Sequence, residues 1–486
     1  MRLSALLEGV EHVILNKEGD PDIAAIAYDS RKIQRSGLFV CIDGIDEDGH
    51  RYLDDAIRDG ACCAIVTRDT GEKSVPLILV RDARVALARV SANFHGNPSE
   101  KINLMGITGT KGKTTTSYMV KSIFRQEARE CALSGTLGIV MGDVYEKTMT
   151  TTPQSLDLQS LYARVIGMGI RDMVMEVSST ALQQKRVDYS DYDIGVFTNI
   201  SRAHIGKREH ADFEEYLQAK ARLFQMCKKG LVNADDQNSK YIMDHAACKV
   251  LTFALQKKAD IIGTVKSYDS NSTRFLYEGL GHSLEITVGM PGEFNVYNAM
   301  AAATCAFLSG AGEQAVMQGL LDVRVPGRCE IVYRKDHALM IDYAHTPDSL
   351  EKLLQSMRPS GARIVTVFGC GGDRDNKMRP MMGEISGRLS DFTIITSDNP
   401  RTEDPGSIIA MIEEGMKAAG GKYVSITDRT EAIRYAIDNA RPNDLIILAG
   451  KGHETYIERH GVRTHYDERE VVRDILLEKG EDSHAD

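Results

Sequence analysis

No stretch of this 486-residue chain approaches the ~18 consecutive apolar residues of a membrane-spanning helix. Its first residues, MRLSALLEGVEHVI, set Glu8 and Glu11 where the apolar core of a signal peptide would have to lie. A cytoplasmic protein is therefore expected, with no membrane partner. An excess of positive charge is also missing: 59 Lys and Arg stand against 69 Asp and Glu, for a net charge of −10. That balance argues against nucleic acid or an anionic surface as the main partner. The nine cysteines are odd in number and never spaced C-x-x-C, and Cys62 and Cys63 are adjacent. Neither a disulfide framework nor a zinc knuckle fits, so reduced, buried thiols are expected. Tryptophan is absent, from which nothing follows, and no internal repeat or low-complexity tract stands out. The polar tail from Gly480 onward is expected to fray.

What is present is length and alternation. A chain of this size exceeds one core, and about three domains of ~100–200 residues are expected. Polar turns at Gly96–Lys101 and at Val325–Gly327 divide it into 1–98, 99–326 and 327–486. In the middle part, apolar runs at Met173–Val177 and Ile194–Ile200 read as buried strands, while Thr115–Glu127 and Phe213–Met226 carry helical periodicity. The last part repeats the alternation, with strands at Ile364–Phe368, Phe392–Thr396 and Leu445–Ala449 and helices near Pro380–Leu389 and from Ser407. The fold class is α/β: a small mixed N-terminal domain, a central ATPase-like domain with a mostly parallel sheet, and a Rossmann-like C-terminal domain. Candidate strands of the first part are Ile23–Tyr28, Leu38–Ile42 and Ala64–Val66.

The segment Gly106–Thr116, GITGTKGKTTT, directly follows the apolar run Ile102–Met105. A strand, a glycine-rich turn and GKT opening a helix turn backbone N–H groups and a helix N-terminus toward phosphate. Lys113 would reach the terminal phosphates of a nucleotide and Thr114 would offer a hydroxyl to Mg²⁺. The spacing is not the common phosphate loop, which needs glycine where this chain has Ile107. The glycine pair is Gly109 and Gly112, giving G-x-x-G-K-T-T.

Other strand ends of the same domain supply hard donors suited to Mg²⁺. Glu176 closes the run MVMEVSS, and His204 follows the next strand end in TNISRAH. Taken alone, Glu176 reads as a surface or capping carboxylate and His204 as a structural histidine. Their shared location at the carboxyl ends of the strands favours ligand roles. Lys220, taken alone, reads as an exposed lysine on an amphipathic helix, and Asp29–Arg31 as a turn or helix cap.

Several longer motifs then fall in order: GTKGKTT, EVSS, NISRAH, YLQAKARLF, GEFNVYNAMAA, DYAHTPDSL, GGDRDNKMRP, SDNPRTEDP and AGKGHE. Together they resemble the Mur ligases, the ATP-dependent amide ligases of peptidoglycan precursor synthesis, over essentially the whole chain. The resemblance implies ATP phosphates on Gly109, Thr110, Lys111, Gly112, Lys113, Thr114 and Thr115, with Asn298, Arg328 and Asp342 as further nucleotide contacts. It implies a UDP-muramoyl dipeptide held by Ser30, Thr151, Thr152, Ser178, Gln184 and Arg186. It makes Lys220 a carbamylated lysine that joins Thr114, Glu176 and His204 around magnesium, with Lys113, Glu176, His204 and Lys220 as the catalytic set. Carbamylation turns a cation into a carboxylate and needs a lysine whose pKa is lowered by its surroundings.

Asp398, Asn399, Pro400 and Arg401 match the motif of family members that add meso-diaminopimelate, and Arg374, Gly450 and Glu454 match the other contacts. A guanidinium can grip the distal carboxylate of that acid bidentately, whereas lysine presents only an ammonium there. The implied reaction is acyl activation by phosphoryl transfer followed by amide formation, in a monomer with no protein nucleophile. The family often has Asp before the histidine of the strand-end motif; here Ala203 precedes His204, and IGKREHADF follows. Alternatives are a lysine-adding ligase, disfavoured by Arg401, a folylpolyglutamate synthase, and a non-catalytic nucleotide-binding regulator.

Overall fold

Apolar strands that alternate with helices hide both faces of a parallel sheet, and this chain builds its sheets that way. The computed structural model describes residues 1–16, 19–44, 47–202, 205–206, 209–269 and 271–481. They form two compact units: Met1–Ile262 with Met300–Val316, and Gly263–Ala299 with Met317–Asp486.

In the first unit, a sheet ordered Val13–Leu15, Leu77–Leu79, Ala61–Val66, Gly37–Val40, Ala25–Ala27 is parallel except at its first pair. A second sheet runs Lys249–Ala254, Cys227–Asn233, Tyr192–Phe197, Asn103–Thr108, Asp172–Glu176, Cys131–Gly135, all parallel. Gly138–Met141 and Val144–Glu146 then extend it antiparallel. The strand Asn103–Thr108 is interior to this sheet, flanked by Tyr192–Phe197 and Asp172–Glu176. Three parallel strands therefore end side by side, which gathers the phosphate loop, Glu176 and the Thr198–Ile200 turn at one edge.

The second unit holds an antiparallel hairpin, Thr273–Gly279 with His282–Val288. Its main sheet is ordered Glu330–Arg334, Ala338–Asp342, Asp444–Ala449, Arg363–Phe368, Phe392–Ile395, Tyr423–Ser425, parallel except at the first pair. Leu339, Ile341, Val367, Ile394, Ile446 and Leu448 pack into one core with Ile433 and Ile475 from flanking helices.

Several expected elements are displaced for identifiable reasons. The run Ile194–Ile200 is strand only to Phe197, because Thr198 and Asn199 turn to bond the phosphate loop. Helix Phe213–Ala221 passes into a 3-10 turn, Arg222–Gln225. The helix expected from Ser407 begins at Pro405, with Asp404 accepting from Ser407 N–H as its cap. All nine cysteines are free, and seven are buried. Glu481, within the tail expected to fray, accepts from the Tyr333 hydroxyl. Among the described residues no helix is long and apolar enough to cross a membrane.

Candidate active site

The phosphate loop is shaped by its two glycines. A side chain on Gly109 would run into the Thr198 hydroxyl, and Gly112 starts helix Lys113–Arg125 at φ +88°, in the left-handed region. The neighbouring strand end then holds the loop. Lys111 N–H donates to Asn199 Oδ1 (3.0 Å), Asn199 Nδ2 and the Thr198 hydroxyl donate to Lys111 O (3.1 and 2.7 Å), and Thr110 N–H reaches Asn199 O (2.9 Å). The Thr110 hydroxyl accepts from Ser201 N–H (3.0 Å) and pairs with the Tyr216 hydroxyl (2.9 Å). Lys113 Nζ donates to the carbonyls of Gly109 (2.8 Å) and Thr110 (3.2 Å).

Thr114 and Thr115 are buried on the first helical turn, and Thr114 Oγ1 donates to Glu176 Oε1 (2.9 Å). Glu176 is 1% exposed, so the surface or capping role it suggests in isolation is excluded. Its carboxylate also accepts from Thr136 N–H (2.9 Å) and the Thr136 hydroxyl (3.0 Å). Three donors on one buried carboxylate keep it oriented.

Lys220 departs furthest from its solitary reading. It lies on helix Phe213–Ala221 at 1% exposure, with its ammonium 4.6 Å from the centre of the Tyr216 ring and no carboxylate paired to it among the described residues. Burial, followed by the charge of Lys113, holds its pKa well below the ordinary lysine range. His204 and Ala203 lie outside the described residues.

Five of the six residues assigned to the muramoyl substrate come together beside Glu176. Thr152 Oγ1 donates to Glu176 O (2.9 Å) and accepts from Ser178 N–H (3.0 Å), while the Thr151 hydroxyl pairs with that of Thr136 (3.2 Å). Arg186 donates to Thr152 O (3.1 Å) and through Nε and Nη2 to Gln184 Oε1 (3.1 and 2.6 Å). Ser30, the sixth, sits in a short 3-10 turn capped by Asp29, whose carboxylate accepts from Arg31 N–H. The Asp29–Arg31 segment is thus a cap, and no bond joins Ser30 to the other five among the described residues.

In the second unit, Asn298 donates to Asn295 Oδ1 (3.2 Å), and Asn295 lies 3.9 Å from Cys329 Sγ. Cys329 N–H donates to Asp342 Oδ2 (2.8 Å), and the Arg328 guanidinium lies 4.5 Å over the Tyr343 ring. Asn298, Arg328 and Asp342 thus share a neighbourhood. Burial raises the Asp342 pKa against the opposing charge of Arg328.

The Asp398–Arg401 turn is the most constrained part of this unit. Arg401 adopts φ +52°, rare for a residue with a side chain, and is held there by Arg401 N–H to Glu458 O (3.0 Å) and His460 N–H to Arg401 O (2.7 Å). Both partners belong to the hairpin Tyr456–Arg459 and Val462–His465. Asn399 donates to Glu454 Oε2 (2.9 Å) and accepts from Glu458 N–H (3.0 Å) and the buried Lys451 Nζ (3.3 Å). Gly450, at φ +116°, leaves room for Asp398: a Cβ there would lie 2.9 Å from Asp398 Oδ2. Burial, helped by Asp398, raises the Glu454 pKa. Arg374 is exposed, and a Cβ placed on Gly371 would lie 3.8 Å from both Arg374 Cγ and Arg401 Nη1. The Arg374 side-chain stem and the Arg401 guanidinium therefore both approach Gly371.

Sequence reasoning assigned no role to Thr136, Thr198, Asn199, Tyr216 or Lys451. Thr198, Asn199 and Lys451 lie inside recognised motifs, and their strand-end positions were the available signal. Tyr216 opens the motif YLQAKARLF, while Thr136 acts through a tertiary approach that no local pattern reports.

Residues 107–306 match the family model for the Mur ligase middle domain, and residues 327–452 match that for the Mur ligase, glutamate ligase domain. A UDP-N-acetylmuramoyl-L-alanyl-D-glutamate--2,6-diaminopimelate ligase of Caldanaerobacter subterraneus subsp. tengcongensis is 44% identical over 484 residues, covering 98% of this chain and 99% of that relative. A solved structure of a ligase bearing the same name is 30% identical, with TM-score 0.73, over 94% of this chain and 95% of its own. A MurF ligase from Thermotoga maritima, solved in complex with ADP, is 17% identical at TM-score 0.58 over 93% and 96% of the two chains, and shares the fold. Two domain matches and an almost end-to-end relative agree with the G-x-x-G-K-T-T loop and its buried carboxylate: the chain belongs to the Mur ligase family.

Proposed function

We propose that this protein is the ATP-dependent ligase that adds meso-diaminopimelate to UDP-N-acetylmuramoyl-L-alanyl-D-glutamate in cytoplasmic peptidoglycan precursor synthesis, acting as a monomer. The observation that carries the reading is the Asp398–Arg401 turn, where Arg401 is left-handed, its Nη1 is held on Gly372 O, and Asn399 is tied to Glu454 and to the buried Lys451. Two arginines on adjoining loops suit an amino acid with a second carboxylate better than lysine, whose side chain ends in an ammonium. The name carried by the 44% identical relative supports the same substrate.

The chemistry follows from the side chains. The dipeptide carboxylate attacks the γ-phosphorus of ATP, giving an acyl phosphate and ADP. The amine of meso-diaminopimelate then attacks the acyl carbon, phosphate leaves with the bonding electron pair, and the amine proton passes to solvent. The Lys113 ammonium and the N–H groups of the first helical turn, Lys113–Thr115, would hold and neutralise the phosphates, as a helix N-terminus suits. Thr151, Thr152, Ser178, Gln184 and Arg186 would hold the muramoyl substrate, with Ser30 toward the uridine. Asn298, Arg328 and Asp342 are proposed nucleotide contacts, and Arg374, Asp398, Asn399, Pro400, Arg401, Gly450 and Glu454 the amino-acid pocket. The divisions 1–98, 99–326 and 327–486 are proposed as uridine, ATP and amino-acid domains.

The donor set around Glu176 fits magnesium: a buried carboxylate and a hydroxyl are hard oxygen ligands, and a buried Lys220 with a lowered pKa is an amine able to take up CO₂. Thr114, Glu176, carbamylated Lys220 and His204 would hold the ion. When bound, it neutralises charge on the transferring phosphoryl group.

Release of ADP tests the reading. It should require both the muramoyl dipeptide and, for turnover, meso-diaminopimelate. ATP binding without ADP formation on addition of the full substrate set would leave the regulator reading standing instead.

A further inference from the structure

Arg374 and Arg401 are carried by two loops, Gly371–Arg374 and Asn399–Glu403, that follow the strands Arg363–Phe368 and Phe392–Ile395. These loops are stitched to each other. Gly372 N–H donates to Asn399 O (2.9 Å), Arg401 Nη1 to Gly372 O (2.6 Å) and the Thr402 hydroxyl to Asp373 Oδ1 (2.6 Å). A side chain on Gly372 would run into the Pro400 carbonyl, so the loops are in direct contact there.

Behind them lies an ion pair between a buried guanidinium and a partly exposed carboxylate. Arg379, on helix Met378–Leu389, is 1% exposed and donates bidentately to Glu403, Nη1 to Oε2 (2.8 Å) and Nη2 to Oε1 (2.7 Å). The same Nη2 reaches Gly371 O (3.4 Å), and Glu403 Oε1 also accepts from Asp373 N–H (2.5 Å). Asp373 is itself left-handed, at φ +53°. One guanidinium and one carboxylate thus hold the two arginine-bearing loops from behind, while neither group belongs to the set assigned to the substrate. A planar fork fixes both distance and angle, which an ammonium cannot do. The hydrogen bonds from Arg379 hold the Glu403 carboxyl below its usual range, so the pair stays charged at neutral pH.

We propose that Arg379 and Glu403 are positioning residues that set the spacing of Arg374 and Arg401, and so the recognition of an amino acid with carboxylates at both ends. This rests on the proposed function and deepens it. The lock predicts an effect confined to the amino-acid substrate, whereas a pair that only stabilises the fold would lower all activities together.

Arg379→Lys and Glu403→Gln in the full chain, with Arg388→Gln as control, test it. Arg388 lies on the same helix but makes exposed contacts to Glu351 and Glu384. Steady-state kinetics should show KM for meso-diaminopimelate rising on the order of tenfold or more in both test variants, since small misplacements of binding groups carry losses of that size. KM for ATP and for the muramoyl dipeptide should stay at wild-type values, and Arg388→Gln should change none of the three. Hydrogen exchange at the amides of Gly372 and Asp373 should quicken in both test variants and not in the control. An unchanged KM for meso-diaminopimelate, an equal rise in all three, or loss of the folded state in both variants would overturn the proposal. If the wild type ligates L-lysine in preference, the functional reading falls by itself, and amide exchange still decides whether the lock exists.

Discussion

Arg401 is the residue proposed to set substrate choice. Its backbone is held left-handed by Glu458 and His460, and its guanidinium is held by Nη1 donating to Gly372 O. A charge-assisted pair with the distal carboxylate is worth ~1.5–3 kcal/mol. Arg401→Ala should therefore lower kcat/KM for meso-diaminopimelate by about tenfold to a few hundredfold, at 1.4 kcal/mol per decade. L-Lysine, which never used the contact, should lose much less; equal losses for the two would refute the role. Lys220 is the second residue on which the proposed mechanism depends. Its lowered pKa leaves the amine neutral in the folded protein at pH values where an exposed lysine is charged. Only the neutral amine takes up CO₂, so the carbamate should be lost as pH falls through that lowered value. A carbamate signal in ¹³C-bicarbonate NMR should be present in wild type, weaken in acid and vanish in Lys220→Ala. The variant should lose activity and regain part of it with added short carboxylic acids. A fully active Lys220→Ala enzyme would remove the lysine from the mechanism.

Among the elements, the phosphate loop depends on its neighbour as much as on its glycines. Asn199 alone accounts for three of the loop's tethers, two through its side chain and one through its carbonyl. Asn199→Ala removes the two side-chain bonds, and at about 0.5–1.5 kcal/mol each the loop should loosen by ~1–3 kcal/mol. KM for ATP should rise on the order of tenfold while KM for meso-diaminopimelate holds; titration with a non-hydrolysable ATP analogue measures the same weakening directly. Wild-type affinity in this variant would show that the glycines alone shape the loop. The same element shows what sequence can and cannot convey. Strand, turn and helix were legible at Asn103–Arg125 because apolar period and glycine spacing are local. The strand pattern runs three residues past the observed end, because Thr198 and Asn199 spend their polar groups on the loop and Ile200 N–H turns to Asp236. Glu176 and Lys220 were legible as positions and not as environments: their burial comes from strands and a helix distant in sequence. Thr136 left no trace at all, because its contact with Glu176 spans forty residues and no motif surrounds it.

For the whole molecule, three of the described sheets have parallel cores, and the domain matches and full-length relative place the chain among the Mur ligases. The central claim is that this chain forms the tripeptide with meso-diaminopimelate. A ligation assay offering meso-diaminopimelate and L-lysine side by side, with ATP, Mg²⁺ and UDP-N-acetylmuramoyl-L-alanyl-D-glutamate, measures that directly by the mass of the product. The account predicts the diaminopimelate tripeptide as the dominant product, with stoichiometric ADP. Predominant lysine tripeptide, or neither product despite bound ATP, would contradict it.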